Sequence, residues 1–191
     1  MDDGRRLWLA AATAAGGVGV VATSIPFVGS MAPSERARAL GAPVKVDVRT
    51  IKPGELLTAE WRGRPVWVLH RTPDMLATLR THDELLADPH SKRLEQQPDY
   101  ARNEWRSIKP DVAVLVAICT HLGCIPTFRP QPGAADIDAS WPGGFYCPCH
   151  GSKFDLAGRV FKNVPAPSNL EVPPHRYRSD SVLLIGEGPA A

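Results

Sequence analysis

Cys119-Thr-His121-Leu-Gly-Cys124 and, later in the chain, Cys147-Pro-Cys149-His150-Gly-Ser152 hold all four cysteines and two of the six histidines of this 191-residue sequence. Each stretch pairs a thiol with an imidazole at close spacing, Cys119 with His121 and Cys147 with His150, and each keeps one further cysteine, Cys124 and Cys149. Two such loops brought together offer a metal two thiolates and two imidazoles. Tetrahedral zinc accepts that set, but it leaves Cys124 and Cys149 without a role. Spare thiols set side by side outside the cytoplasm oxidise to a disulfide. Two disulfides with no metal would leave unexplained why the histidines fall in register with the cysteines.

Around these loops the sequence reads as mostly β. Residues 44–48 alternate apolar and polar, 64–69 follow a Trp-Arg-Gly turn, 112–118 form an apolar run and 181–185 close the chain. A helical interruption is expected at 81–86, where Thr81 and Glu84 have capping-box spacing. The Pro-bounded polar stretch 87–110 is expected to drape over the sheet, and the Pro- and Gly-rich residues 129–144 to form a surface excursion. His70, His82, His90 and His175 have no comparable partners in sequence and are assigned to surface or packing, as Trp61, Trp67, Trp105 and Trp141 are to packing.

The whole chain carries 22 basic and 20 acidic residues, a net charge of +2 that is far from the balance of a nucleic-acid binder, so nucleic acid is not expected as a partner. With 43% hydrophobic residues it is too apolar for a disordered chain, and its 19 prolines and 16 glycines call for many turns. Residues 44–191 hold 18 basic and 17 acidic residues, or +1, in a length sufficient for one core.

Residues 7–28 form a charge-free run of 22 residues. As a helix the run reaches roughly 33 Å, enough to cross a bilayer. It exceeds the usual signal-peptide core of ~15 residues, so a retained anchor over residues 1–28 is expected in place of a leader cleaved near Ala32. Gly16, Gly17 and Gly19 suit close packing against neighbouring membrane helices. Arg5 and Arg6 place the head outside the cytoplasm by the positive-inside tendency, and with Leu7-Trp8-Leu9 they resemble a twin-arginine export signal. Residues 29–43, small and mixed in charge, read as a tether, with a short surface helix around 34–40 as the compatible alternative.

The two cysteine and histidine motifs resemble those of the Rieske iron–sulfur proteins. The resemblance implies an antiparallel β-sandwich head with a small cluster-binding subdomain at about 112–170, behind one N-terminal transmembrane helix. It implies one [2Fe–2S] cluster with Cys119 and Cys147 on one iron, His121 and His150 on the other, and a disulfide between Cys124 and Cys149. Neutral imidazoles in place of two thiolates raise the potential of such a cluster, which suits acceptance of electrons from a quinol. Soluble Rieske ferredoxins and ring-hydroxylating oxygenases are similar at the four ligands but usually lack the extra cysteine pair and the anchor. The anchor, the tether, Leu122, the Pro165-Ala166-Pro167 loop and Asn169-Leu-Glu-Val-Pro173 together look like the Rieske subunit of the cytochrome bc1 complex, in its proteobacterial branch.

That branch implies an electron-transfer subunit of quinol–cytochrome c oxidoreductase. Cytochrome b and cytochrome c1 would be its partners, haems would lie only in those partners, and the complex would be dimeric in the bacterial inner membrane with the head in the periplasm. Leu122 would dock on cytochrome b and residues 165–167 would cover the cluster. His150 would face quinol, with His121 also exposed, and Ser152 would donate a hydrogen bond to a cluster sulfur. Phe154 stands where many relatives carry tyrosine, which implies a lower potential here, and Val164 stands where relatives often have glycine. The interval from His121 to Cys147 also looks longer than in mitochondrial members. The rival readings are a small subunit of an arsenite oxidase, passing electrons from a molybdenum site, and a zinc-stabilised module without redox activity.

Overall fold

A charge-free segment that leaves water must satisfy its backbone polar groups internally, and a helix does so within one segment. In the computed structural model, which describes residues 2–189, helix α1 spans Asp3–Ser30 and takes in the whole apolar run. It is long and apolar enough to cross a membrane. The hydroxyls of Thr13, Thr23 and Ser24 donate to carbonyls one turn back, so its few polar side chains are satisfied along the helix. The stretch read as a tether holds a second helix, α2, over Glu35–Gly41, where Ser34 Oγ accepts the Ala37 N–H at 3.2 Å. The chain divides into two compact units between Leu40 and Gly41.

Among its described residues the second unit contains nine short strands in three antiparallel sheets. In chain order these are β1 (Val44–Asp47), β2 (Leu56–Trp61), β3 (Arg64–His70), β4 (Val112–Val116), β5 (Thr127–Arg129), β6 (Gly144–Cys147), β7 (Ser152–Phe154), β8 (His175–Tyr177) and β9 (Val182–Ile185). The sheets run β1-β9-β8, β2-β3-β4 and β5-β6-β7. Strands β3 and β4 of the middle sheet are buried on both faces. Val66, Val68, Val112, Val114 and Val116 point toward Val46, Leu183 and Ile185, while Trp67, Leu69, Ala113, Leu115 and Ala117 point toward Phe145 and Phe154. Pairing Val66 with Val116 and Val68 with Val114 keeps each set on one face. Double burial is why β3 and β4 read as apolar runs rather than alternating strands. The Trp67 and Phe145 rings stack at 4.6 Å and join the middle sheet to the third.

Two readings are corrected and a third is refined. The helix expected at 81–86 lies earlier, as α3 (Pro73–Thr78), where Thr72 Oγ1 accepts the Met75 N–H and Pro73 supplies the preset first turn. Thr81 instead donates its hydroxyl to the Thr78 carbonyl, so it caps nothing, and only a single 3-10 turn forms at Asp83–Leu85. Residues 87–110 do not simply drape, because Arg106 is fully buried. The 129–144 excursion has an interior of its own, in which Trp141 packs with Leu86 and Phe161 and donates its indole N–H to the Arg129 carbonyl at 2.9 Å. Among the remaining histidines, His82 and His175 are buried and His90 is exposed.

Candidate metal centre

β4 ends at Val116, and the chain then turns through residues 119–124. The Cys119 N–H donates to the Cys124 carbonyl at 2.8 Å and the Gly123 N–H to the Cys119 carbonyl at 3.0 Å. The second loop joins β6 to β7, whose pairing sets Cys147 opposite Ser152, and the Gly151 N–H donates to the Cys147 carbonyl at 2.9 Å. Gly123 (φ +83°) and Gly151 (φ +75°) take the left-handed conformation that lets each loop fold back, which costs any residue with a Cβ. The second loop thus starts from the cysteine that ends β6 and the first from a cysteine three residues past β4, and each carries a histidine near the tip.

The thiols of Cys119 and Cys147 are buried and unbridged, whereas His121 is half-buried and His150 exposed. The imidazole rings meet edge to face, 4.7 Å between centroids. Sulfur donors thus lie beneath and nitrogen donors at the rim. Cys124 and Cys149 form a disulfide that joins the loops. Their sulfurs and that of Cys147 lie within 4.8 Å of one another, which sets the bridge against the site without adding ligands.

Burial pushes the Cys147 thiol up, and the neighbouring Cys119 pushes it further. Two thiolates cannot share an apolar pocket without a cation, and a coordinated metal supplies one and deprotonates both. The donor set therefore fits a metal group that can take sulfur on its inner side and nitrogen on its outer side.

Ser152 is fully buried, and its Oγ accepts the Ala166 N–H at 3.1 Å, which leaves its own hydrogen free to donate. Thr120, between the two donors of the first loop, donates its hydroxyl to the Ser168 carbonyl at 2.7 Å. The 165–168 segment is thereby tied to both loops, with Ala166 buried and Pro165 and Pro167 exposed. Thr120 and Ser168 were not singled out by sequence; the one signal was the position of Thr120 between two donors. Leu122 is 70% exposed and is joined at the tip by Ile125, also not anticipated, at 58%. Phe154 is fully buried in the core that includes Cys119 and Cys147.

Residues 44–174 match the family described as the Rieske [2Fe-2S] domain. The ubiquinol-cytochrome c reductase iron-sulfur subunit of Allochromatium vinosum is 57% identical over 183 residues, 96% of this chain and 88% of that protein. The subunit of the same name from Blastochloris viridis is 40% identical over 191 residues, covering 97% of this chain and 94% of its own length. Among solved structures, a chain of a hyperthermophilic respiratory Complex III aligns with a TM-score of 0.50 at 27% identity, over 93% of this chain and 98% of that one. With the motifs, the three sheets and the relatives in agreement, the chain belongs to the Rieske [2Fe-2S] proteins and, within them, to the family of ubiquinol–cytochrome c reductase iron–sulfur subunits.

Proposed function

We propose that the head takes one electron from quinol at cytochrome b and passes it to cytochrome c1, as the catalytic electron-transfer subunit of a quinol–cytochrome c reductase that acts as a translocase only within the assembled complex. The observation that carries this reading is the meeting of two buried thiols and two outward imidazoles in loops clasped by a disulfide. A role in electron transfer within such a complex follows from the family. The matches named above are to quinol–cytochrome c reductase subunits and do not favour an arsenite oxidase.

In this reading Cys119 and Cys147 hold one iron and His121 and His150 the other. When bound, the [2Fe–2S] cluster supplies a one-electron acceptor of raised potential. The exposed His150 meets quinol and takes a proton at the ring nitrogen not used for iron. Ser152 directs its free hydroxyl hydrogen toward a cluster sulfur, and residues 165–167 keep water from that side. Leu122, apolar and exposed, docks on cytochrome b. Residues 1–28 anchor a single-pass protein in the lipid of the bacterial inner membrane, residues 29–43 act as the tether, and the 44–191 head works in the periplasm within a dimeric complex.

The test uses the full-length protein in its complex. Iron and acid-labile sulfide in equal amounts, with an EPR signal on reduction, are expected, and zinc without sulfide would overturn the reading. Leu122→Asp is expected to cut quinol-driven cytochrome c reduction at least tenfold while the EPR signal stays. Unchanged turnover in that variant would remove Leu122 from the docking surface.

A further inference from the structure

Arg71, Arg106 and Arg159 are all sealed inside the head, at 2% exposure or less, and among the described residues Asp155 is the one buried carboxylate. Asp155 is committed to Arg159. Its Oδ2 accepts Arg159 Nε at 2.7 Å, with His82 Nε2 at 3.4 Å, while its Oδ1 accepts the backbone N–H groups of Ala157 and Arg159. Arg159 also reaches Asp83 at 2.8 Å.

Among the described residues the other two guanidinium groups hydrogen-bond no carboxylate. Arg106 donates to the carbonyls of Ala157 at 3.0 Å and Leu170 at 2.8 Å and to Gln97 Oε1 at 3.1 Å. Arg71 donates to the Trp105 carbonyl at 2.9 Å and Ser107 Oγ at 2.8 Å. Burial lowers both to about 10, so both stay charged near neutrality. An interior with more cation than anion is costly unless negative charge is placed where it can feel the field.

The candidate centre is close along the chain. Asp155 lies three residues beyond Ser152, about 10 Å at the strand rise, and Leu156 and Ala157 share one apolar core with Cys119 and Cys147. Charges separated by such a core interact more strongly than through water. A [2Fe–2S] group with two thiolates and two neutral imidazoles is uncharged when oxidised and carries one negative charge after gaining one electron, so only the reduced state is drawn to the buried cations. We propose that Arg71 and Arg106 are positioning residues, set to favour the reduced centre electrostatically and raise its midpoint potential, and that Asp155 opposes them. This rests on the ligand reading given under the proposed function.

A purely structural peg would move stability but not shift the potential in a sign that follows charge. The experiment is an EPR-monitored redox titration of the full-length protein. Arg106→Gln and Arg71→Gln are expected to lower the midpoint, Arg106→Lys to stay near the parent, and Asp155→Asn to raise it. Shifts of one common sign, or none, with the EPR signal intact, would overturn the proposal. Should Arg106→Gln fail to assemble, Arg71→Gln and Asp155→Asn carry the same decision. A parent protein lacking the signal would sink the ligand reading itself, a distinguishable failure.

Discussion

At the scale of the residue, Phe154 is a test of hydrogen bonding to the centre. Its ring is fully buried in the core that contains Cys147, and it begins the pairing of β7 with β6 opposite Phe145. A hydroxyl added there must find an acceptor or cost about 1–3 kcal/mol as an unsatisfied group. Phe154→Tyr is expected to raise the midpoint potential with little loss of stability, as the resemblance to tyrosine-bearing relatives implies; a potential that is unmoved or lower, read by voltammetry, would refute this. The two buried thiols and the two imidazoles that meet were legible because each pair is spaced locally. Thr120 and Ser168 were not, because their hydrogen bond spans 48 positions and neither residue type is distinctive. Arg71 and Arg106 were equally hidden, since a buried arginine and a solvated one look the same in a sequence.

At the scale of the element, legibility followed length and burial. β3 and β4 were found because double burial makes them continuous apolar runs, and β1 and β9 because the chain before and after them is punctuated by turns. β5, β7 and β8 have three residues each, too few to show a period. α3 was missed because Thr81 and Glu84 have capping-box spacing, whereas the cap that forms is Thr72 ahead of Pro73. The two loops cannot hold their shape through such short strands alone, which gives the disulfide its weight. Cys124 and Cys149 lie 25 residues apart, and closing a loop of that size is worth about 3–4 kcal/mol in the chain-entropy account. The double variant Cys124→Ser, Cys149→Ser is expected to unfold in denaturant at a lower midpoint by about that free energy and to bleach faster. Addition of reductant should bring the parent protein to the same midpoint; a parent indifferent to reductant would argue against the clasp.

At the scale of the whole molecule, the division at Leu40 and Gly41 falls inside the stretch that composition marked as a tether, but no sequence pattern revealed how the far edge of the head is closed. His175 begins β8 with its ring 1% exposed. Its Nδ1 lies 2.8 Å from the Pro173 carbonyl, Tyr100 packs edge-on at 5.4 Å, and the His175 N–H donates to Tyr100 Oη at 2.8 Å. Burial lowers the His175 pKa below 6.5, with the Pro173 carbonyl opposing. The unfolded chain therefore binds a proton near pH 6.5 that the folded chain refuses, so this residue's contribution is complete above that pH and declines as pH falls toward the folded value. Asp155, whose complete burial pushes its pKa up but which the hydrogen bond to His82 and the charge of Arg159 together hold below 3.8, acts in a separate window: its contribution is present above that value and is lost only below it. As pH falls from about 6.5 toward the folded value, the parent should thus lose stability by up to about 1.4 kcal/mol per pH unit from one such histidine. His175→Gln keeps an amide N–H for the Pro173 carbonyl but cannot titrate. Denaturant unfolding followed across that interval should show a flatter decline in the variant, and an identical slope in the two proteins would move the acid sensitivity of the head away from this sheet edge.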